Sequence, residues 1–250
     1  LPQAVPVYFL RSIMVSNLSA GFFENFAKIF SEAKFMNMIW TGLRTTLIVS
    51  VGAAVLGLIL GTLVAFVKIQ PKTNKWMIIP NAVCDVYVTV IRGTPMALQL
   101  FIMAFVIFAI RGFPTEIIAI ISFGINSGAY VSENIRAGIL SVDKGQTEAG
   151  RALGVSSGRT LMRIVIPQGM KNVIPAIGNE LIALIKETSI VSMIGMFDLT
   201  QAAKVIGSGQ NLATYFAPMA VAAVFYLLIV YALTVCIKLI ERRLRKSEKR

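Results

Sequence analysis

The chain has 250 residues, 56% of them hydrophobic and 14% charged, with a mean hydropathy of +0.75. A soluble surface needs about a quarter of its residues charged, so this composition excludes a water-soluble domain and indicates one membrane domain. The net charge of +12 comes from 24 basic and 12 acidic residues, but the bases cluster beside apolar runs, as in cytoplasmic loops of membrane proteins, which argues against nucleic acid as a partner.

Histidine is absent, and Cys84 and Cys236 sit among apolar neighbours where a thiol behaves as a small hydrophobe. This inventory builds neither a cysteine–histidine metal site nor a Ser-His-Asp triad, and no phosphate-binding Gly-Lys-Ser/Thr loop is present. The chain is therefore expected to hold no catalytic residue, metal or cofactor. It begins Leu1-Pro2, and residues 1–10 lack the basic region of a cleavable signal peptide.

Along residues 22–39, Phe22, Phe26, Ile29, Phe30 and Ala33 recur at helical spacing with Glu24, Lys28, Glu32 and Lys34 between them. That predicts an amphipathic helix too charged to cross a bilayer, lying along an interface or packed on a bundle. Residues 1–40 are read with it as an extracytoplasmic segment. A hydrocarbon core about 30 Å thick needs about 20 helical residues. The uncharged run 45–67 meets that length and carries Gly57 and Gly61, a spacing that lets helices approach closely. The apolar runs 95–110 and 117–132 are separated by a polar turn, Arg111 to Glu116. A helical stretch over 172–197 is interrupted by Glu180, Lys186 and Glu187, and 213–237 is the last uncharged run.

Lys68, Lys72 and Lys75 follow the first run, six bases lie between Arg136 and Lys171, and the tail from Lys238 to Arg250 is strongly basic. All three regions are expected in the cytoplasm. Residues 76–140 then cross an even number of times: 95–110 outward and 115–135 back, with 76–91 as a cytoplasmic or interfacial helix. The expectation is an all-α membrane protein of about five spans over 41–240, N-terminus outside, with a basic cytoplasmic tail over 241–250.

The loop over about 141–168 has the grammar of two short helices. Asp143 suits the first N-cap and its dipole. Gly154 suits the position after that helix, where a left-handed backbone is needed. Ser156 or Ser157 can cap the second helix, with Pro167 following its end. Ala149, Ala152, Leu153 and Val155 supply apolar surface that a solvated loop does not need.

Glu148, Ala149, Gly154, Ile164 and Pro167 resemble the EAA motif of permease subunits of ATP-binding-cassette importers. Gly150 stands where that family usually has Ala, and Ile166 where it has Leu. Arg92-Gly93-Thr94-Pro95, Gly128-Ala129-Tyr130, Arg136-Ala137-Gly138 and Lys186-Glu187-Thr188-Ser189-Ile190 narrow the resemblance to the polar amino-acid subgroup. It implies a type I importer-like permease in a bacterial-type inner membrane, paired with a second permease, two ATPase subunits that carry ATP and Mg, and an extracytoplasmic binding protein. The coupling residues it implies are Glu148, Ala149, Gly150, Ala152, Leu153 and Gly154.

Charges inside a membrane domain face a cavity or a partner group. Glu133, Glu180, Lys186 and Glu187, with Asn126, Ser127 and Tyr130, are the candidates for the translocation path; the charged ones also suit helix ends that snorkel. Arg92 is expected to snorkel at a span end. Asp198, Leu199, Thr200 and Lys204 fall outside, in a solvated loop or against the binding protein. The rival reading is a stand-alone secondary transporter or channel, which would carry inverted repeats; none is visible.

Overall fold

The computed structural model describes residues 21–70, 75–208 and 214–246. Residues 1–20, Lys72, residues 209–213 and the end of the tail, 247–250, enter the expectations above but lie outside that range. Among the described residues all regular structure is helical. Helix α1 covers 21–31 and breaks at Glu32, and α2 runs from Ala33 to Ile69. A 3₁₀ turn, Lys75–Met77, leads into α3 (Ile78–Gly93). Helix α4 (Met96–Ile102) continues through a π turn, Met103–Ile107. Then come α5 (Thr115–Leu140), α6 (Lys144–Ala152) and α7 (Ser157–Thr160). A π turn, Leu161–Val165, joins α7 to α8 (Ile166–Glu187). A 3₁₀ stretch, Thr188–Ile194, precedes α9 (Leu199–Ile206) and α10 (Phe216–Lys246).

Helices α2 and α10 are each long and apolar enough to cross a bilayer. Helices α5 and α8 have 26 and 22 residues, rises of about 39 and 33 Å at 1.5 Å per residue, also sufficient for the core. Ser122, Asn126, Ser127 and Ser132 of α5 are buried against other helices. The run 95–110 behaves differently from the straight span expected of it. Its helical part, Met96–Ile107, rises only about 18 Å and is bent by 108° from the α3 unit. Only together do α3 and α4 pass the membrane test, so 76–91, expected as a cytoplasmic or interfacial helix, is half of a bent apolar pair, with the geometry of a broken span or a re-entrant loop. The break falls at Thr94, which is extended (φ −121°, ψ 147°) because the following Pro95 disfavours helix there.

The Gly57–Gly61 pair finds its partner within the chain. A Cβ on Gly61 would lie 2.6 Å from the Val131 Cβ and 2.8 Å from the Gly128 oxygen; one on Gly57 would lie 2.9 Å from the Ser127 Cβ. Helices α2 and α5 thus cross nearly backbone to backbone, as small residues permit in lipid. Hydroxyls along α2 are tolerated because they return to their own helix: Thr41 donates to the Asn37 carbonyl at 2.8 Å, Ser50 to Thr46 at 2.7 Å and Thr62 to Leu58 at 2.6 Å.

Of the two placements open for 22–39, the packed one is found. Ile29, Phe35 and Ile39 are buried in one cluster with Leu199 and Ile206 of α9 and Val221 of α10, and Phe22 and Phe26 pack against it. The 198–204 segment is likewise no solvated loop. Asp198 and Leu199 are fully buried; Asp198 caps α9 by accepting from the Gln201 and Thr200 amides at 2.9 and 3.0 Å. The Leu199 amide donates to Thr46 Oγ1 at 3.2 Å, and Lys204 donates to Ser192 Oγ at 3.0 Å. Apolar Leu199, Ala202, Ala203 and Ile206 on one helical face account for the burial, a pattern that the flanking polar residues mask.

Candidate coupling and translocation site

The hairpin after α5 forms as its sequence suggests at the first helix and departs at the second. Asp143 Oδ1 accepts from the Gly145 amide at 2.6 Å. Gly154 is left-handed at φ +77°. Its amide donates to the Arg151 carbonyl at 3.0 Å, and the Val155 amide donates to Gly150 at 3.0 Å, the paired bonds of a Schellman end. Ser156 occupies the next N-cap position without a side-chain bond. Pro167, expected to stop the second helix, instead sits in the first turn of α8. The π turn just before it widens the helix where proline removes a bond, so the run from Ser157 to Glu187 continues as one helical rod. Movement of the hairpin is thereby tied directly to α8.

Gly150 is buried at the hairpin's inner seam, where a Cβ would approach the Thr160 Cγ2 to 2.7 Å. Glu148, Ala149, Ala152 and Gly154 lie on the outer side, and Leu153 is 82% exposed. Gln168 donates to Gln146 at 3.1 Å and Asn172 to Ser141 at 2.8 Å, stitching the hairpin to its base. Below it α5 and α8 cross closely: a Cβ on Gly169 would lie 2.9 Å from the Gly138 oxygen.

The path candidates divide into groups. Glu133 is the centre of a five-charge cluster: Lys68 donates to its Oε1 at 2.7 Å and Arg136 to its Oε2 at 2.6 Å, while Arg92 lies 4.0 Å away. Lys68 also pairs with Asp85 at 3.1 Å. Arg92 places its guanidinium 5.1 Å from the Tyr130 ring centroid. This cluster ties α2, α3 and α5 together, and Glu133 is fully engaged by cations. Ser127 faces the half-buried Glu180 of α8. Asn126 is buried and donates to Gln99 at 3.0 Å. Lys186 and Glu187 are exposed at the end of α8, where Lys186 lines a cleft of about 520 Å³ with Ser189, Thr200 and Tyr226.

Gln99, Lys68 and Asp85 were not among the sequence candidates. Gln99 had a visible signal as the lone amide in the apolar stretch 96–110. Asp85 was hidden by the interfacial assignment of its helix, and Lys68 by its role as an orientation marker.

A helical membrane domain with buried polar groups on its inner helices and a capped, apolar-tipped hairpin at one end is the build of a transport subunit that works with another protein. Residues 57–246 match the family described as binding-protein-dependent transport system inner membrane component. The chain is 40% identical over 213 residues to the arginine transport system permease protein ArtQ of Bacillus subtilis, covering 84% of this chain and 94% of that one. It is 36% identical to the glutamine transport system permease protein GlnP of Escherichia coli K12, over 82% of this chain and 91% of that one. A crystal structure described as an amino acid ABC transporter with histidines superposes with TM-score 0.77 at 36% identity, covering 86% of this chain and 98% of that one. The chain belongs to this family of importer inner-membrane components: it is a permease subunit of an ATP-binding-cassette importer.

Proposed function

We propose that this permease moves a polar amino acid inward and that the hairpin over 141–168 docks on an ATP-hydrolysing partner. The observation carrying this reading is Leu153, an apolar side chain 82% exposed on a capped, stitched hairpin that is continuous with α8. An apolar tip on a rigid mount suits insertion into a groove of another protein. Glu148, Ala149, Ala152 and Gly154 flank that tip, while Gly150 holds the two arms together. ATP and Mg belong to the partner, and this chain performs no hydrolysis.

A second permease copy or relative, an extracytoplasmic binding protein and the lipid of a bacterial-type inner membrane complete the assembly. The N-terminus lies outside and the tail in the cytoplasm, as the basic loops direct. The two relatives above are named for arginine and glutamine, both polar amino acids. Glu180 with Ser127 offers acceptors to a substrate ammonium, and Asn126 lies one residue from Ser127 on α5. Glu133 is assigned to structure instead, because Lys68 and Arg136 already occupy its oxygens. Tyr130 lies against the Arg92 guanidinium. Lys186 and Glu187 stand at the outer end of the same helix as Glu180.

The reading is tested with Leu153→Cys in membranes that hold the full transporter. Crosslinking to an ATP-hydrolysing subunit supports docking at the tip; crosslinking only to lipid-facing reagents would remove the docking assignment.

A further inference from the structure

The bend between α3 and α4 leaves backbone carbonyls without helical donors in the middle of a membrane unit, where such groups must find internal partners. Thr94 Oγ1 donates to the Val90 carbonyl at 2.8 Å. Donors to the Ile91 and Thr94 carbonyls come from one side chain on the far side of the break. Gln99 Nε2 lies 2.7 Å from the Ile91 carbonyl, 3.1 Å from the Thr94 carbonyl and 2.7 Å from Thr94 Oγ1. Its other end, Oε1, accepts from Asn126 Nδ2 on α5 at 3.0 Å. A cavity of about 270 Å³ opens in the crook of the bend, lined by Thr94, Leu98, Gln99, Ser122 and Ile125.

The chemistry of these contacts has a direction. A carbonyl accepts only, so the Gln99 end that faces Ile91 must be its NH₂. That orientation leaves Oε1 toward α5. Asn126 must then turn its own NH₂ to Gln99, and its oxygen is left as the acceptor. The amide orientations follow from the network rather than from the shape of either side chain.

We propose that Gln99 is a positioning residue for transport. It holds the α3–α4 bend and turns the buried Asn126 so that its oxygen stays an acceptor on α5, the helix that carries Ser127. The bend and the substrate-facing row then move as one body. The assignment rests on the import reading, and wild-type ATP-driven uptake tests that reading separately from the variant ratios below.

The test uses the complete importer in proteoliposomes, comparing Gln99→Glu and Gln99→Leu with wild type from pH 8 to pH 5.5. The ionised carboxylate introduced by Gln99→Glu offers only acceptors to the Ile91 and Thr94 carbonyls, whereas the protonated acid again has a donor. The wild type carries the same native charges around the bend, Asp85 and Arg92 on α3 and Glu116, Glu133 and Arg136 on α5, so the variant-to-wild-type ratio isolates residue 99. The expected result is a ratio for Gln99→Glu at or below about a tenth at pH 8, rising at least threefold by pH 5.5, while the Gln99→Leu ratio stays low and flat. A flat Gln99→Glu ratio, a parallel rise in both variants, or near-wild-type uptake by Gln99→Leu would overturn the proposal. If Gln99→Glu does not fold, Asn126→Asp applies the same test from the other partner, because its carboxylate would face Gln99 Oε1 until protonated. Acid recovery of that variant's uptake and thermal stability relative to wild type supports the assignment, and no recovery removes it.

Discussion

Replacing Glu133 by Gln removes the one carboxylate shared by Lys68, Arg136 and Arg92. The side chains of Glu133 and Lys68 are 16% and 13% exposed, whereas Arg136, Arg92 and Asp85 are 37%, 42% and 56% exposed. Breaking a fully buried pair by removing one partner costs about 3–5 kcal/mol. Lys68 keeps Asp85 at 3.1 Å, and the two arginines reach solvent, so the expected loss is discounted to about 2 kcal/mol. For a chain of this size that lowers the unfolding midpoint by about 4–8 °C. Asp85→Asn, acting on the exposed end of the same cluster, should cost less than about 0.5 kcal/mol. Thermal unfolding of both variants in one detergent, followed by intrinsic fluorescence, compares them directly. A Glu133→Gln midpoint equal to that of Asp85→Asn would refute the view that Glu133 is the centre of the cluster.

Gly61→Val puts side-chain atoms where the Val131 Cβ would stand 2.6 Å away, and should destabilise the protein by at least about 2 kcal/mol by forcing α2 from α5, read as a lower unfolding midpoint. Tyr226→Phe removes the hydroxyl that sits 3.3 Å from Thr200 Oγ1 and 3.4 Å from Asp198 Oδ2. Its cost should be about 1 kcal/mol, measured in the same way. Gly154→Asp meets no neighbouring atom, so insertion and folding should survive with about 1 kcal/mol of backbone strain. Uptake should fall at least tenfold as the added carboxylate alters the docking face, measured in proteoliposomes against the amount of inserted protein.

The sequence made some of these features legible and concealed others, for physical reasons. The long uncharged runs of α2 and α10, Asp143 as a cap and Gly154 as a left-handed end depend on local chemistry, and each stands where its residues suggested. The bent α3–α4 pair was concealed because neither half is long enough alone, and Asp85 made the first half look interfacial. The second hairpin helix was expected to stop at Pro167, yet a π turn absorbs the proline. The burial of α9 depends on α1, α2 and α10 arriving from distant parts of the chain. Glu133 carried the intramembrane charge that suggested a substrate contact, but its partners Lys68 and Arg92 are brought near only by folding.

The most direct test of the import account is uptake into proteoliposomes by the permease purified with its ATP-hydrolysing and binding-protein partners. The account predicts accumulation of a polar amino acid that requires ATP and the binding protein, and that is lost with Leu153→Asp while the permease remains inserted. Equal uptake by the permease alone, driven by an ion gradient without ATP, would contradict it.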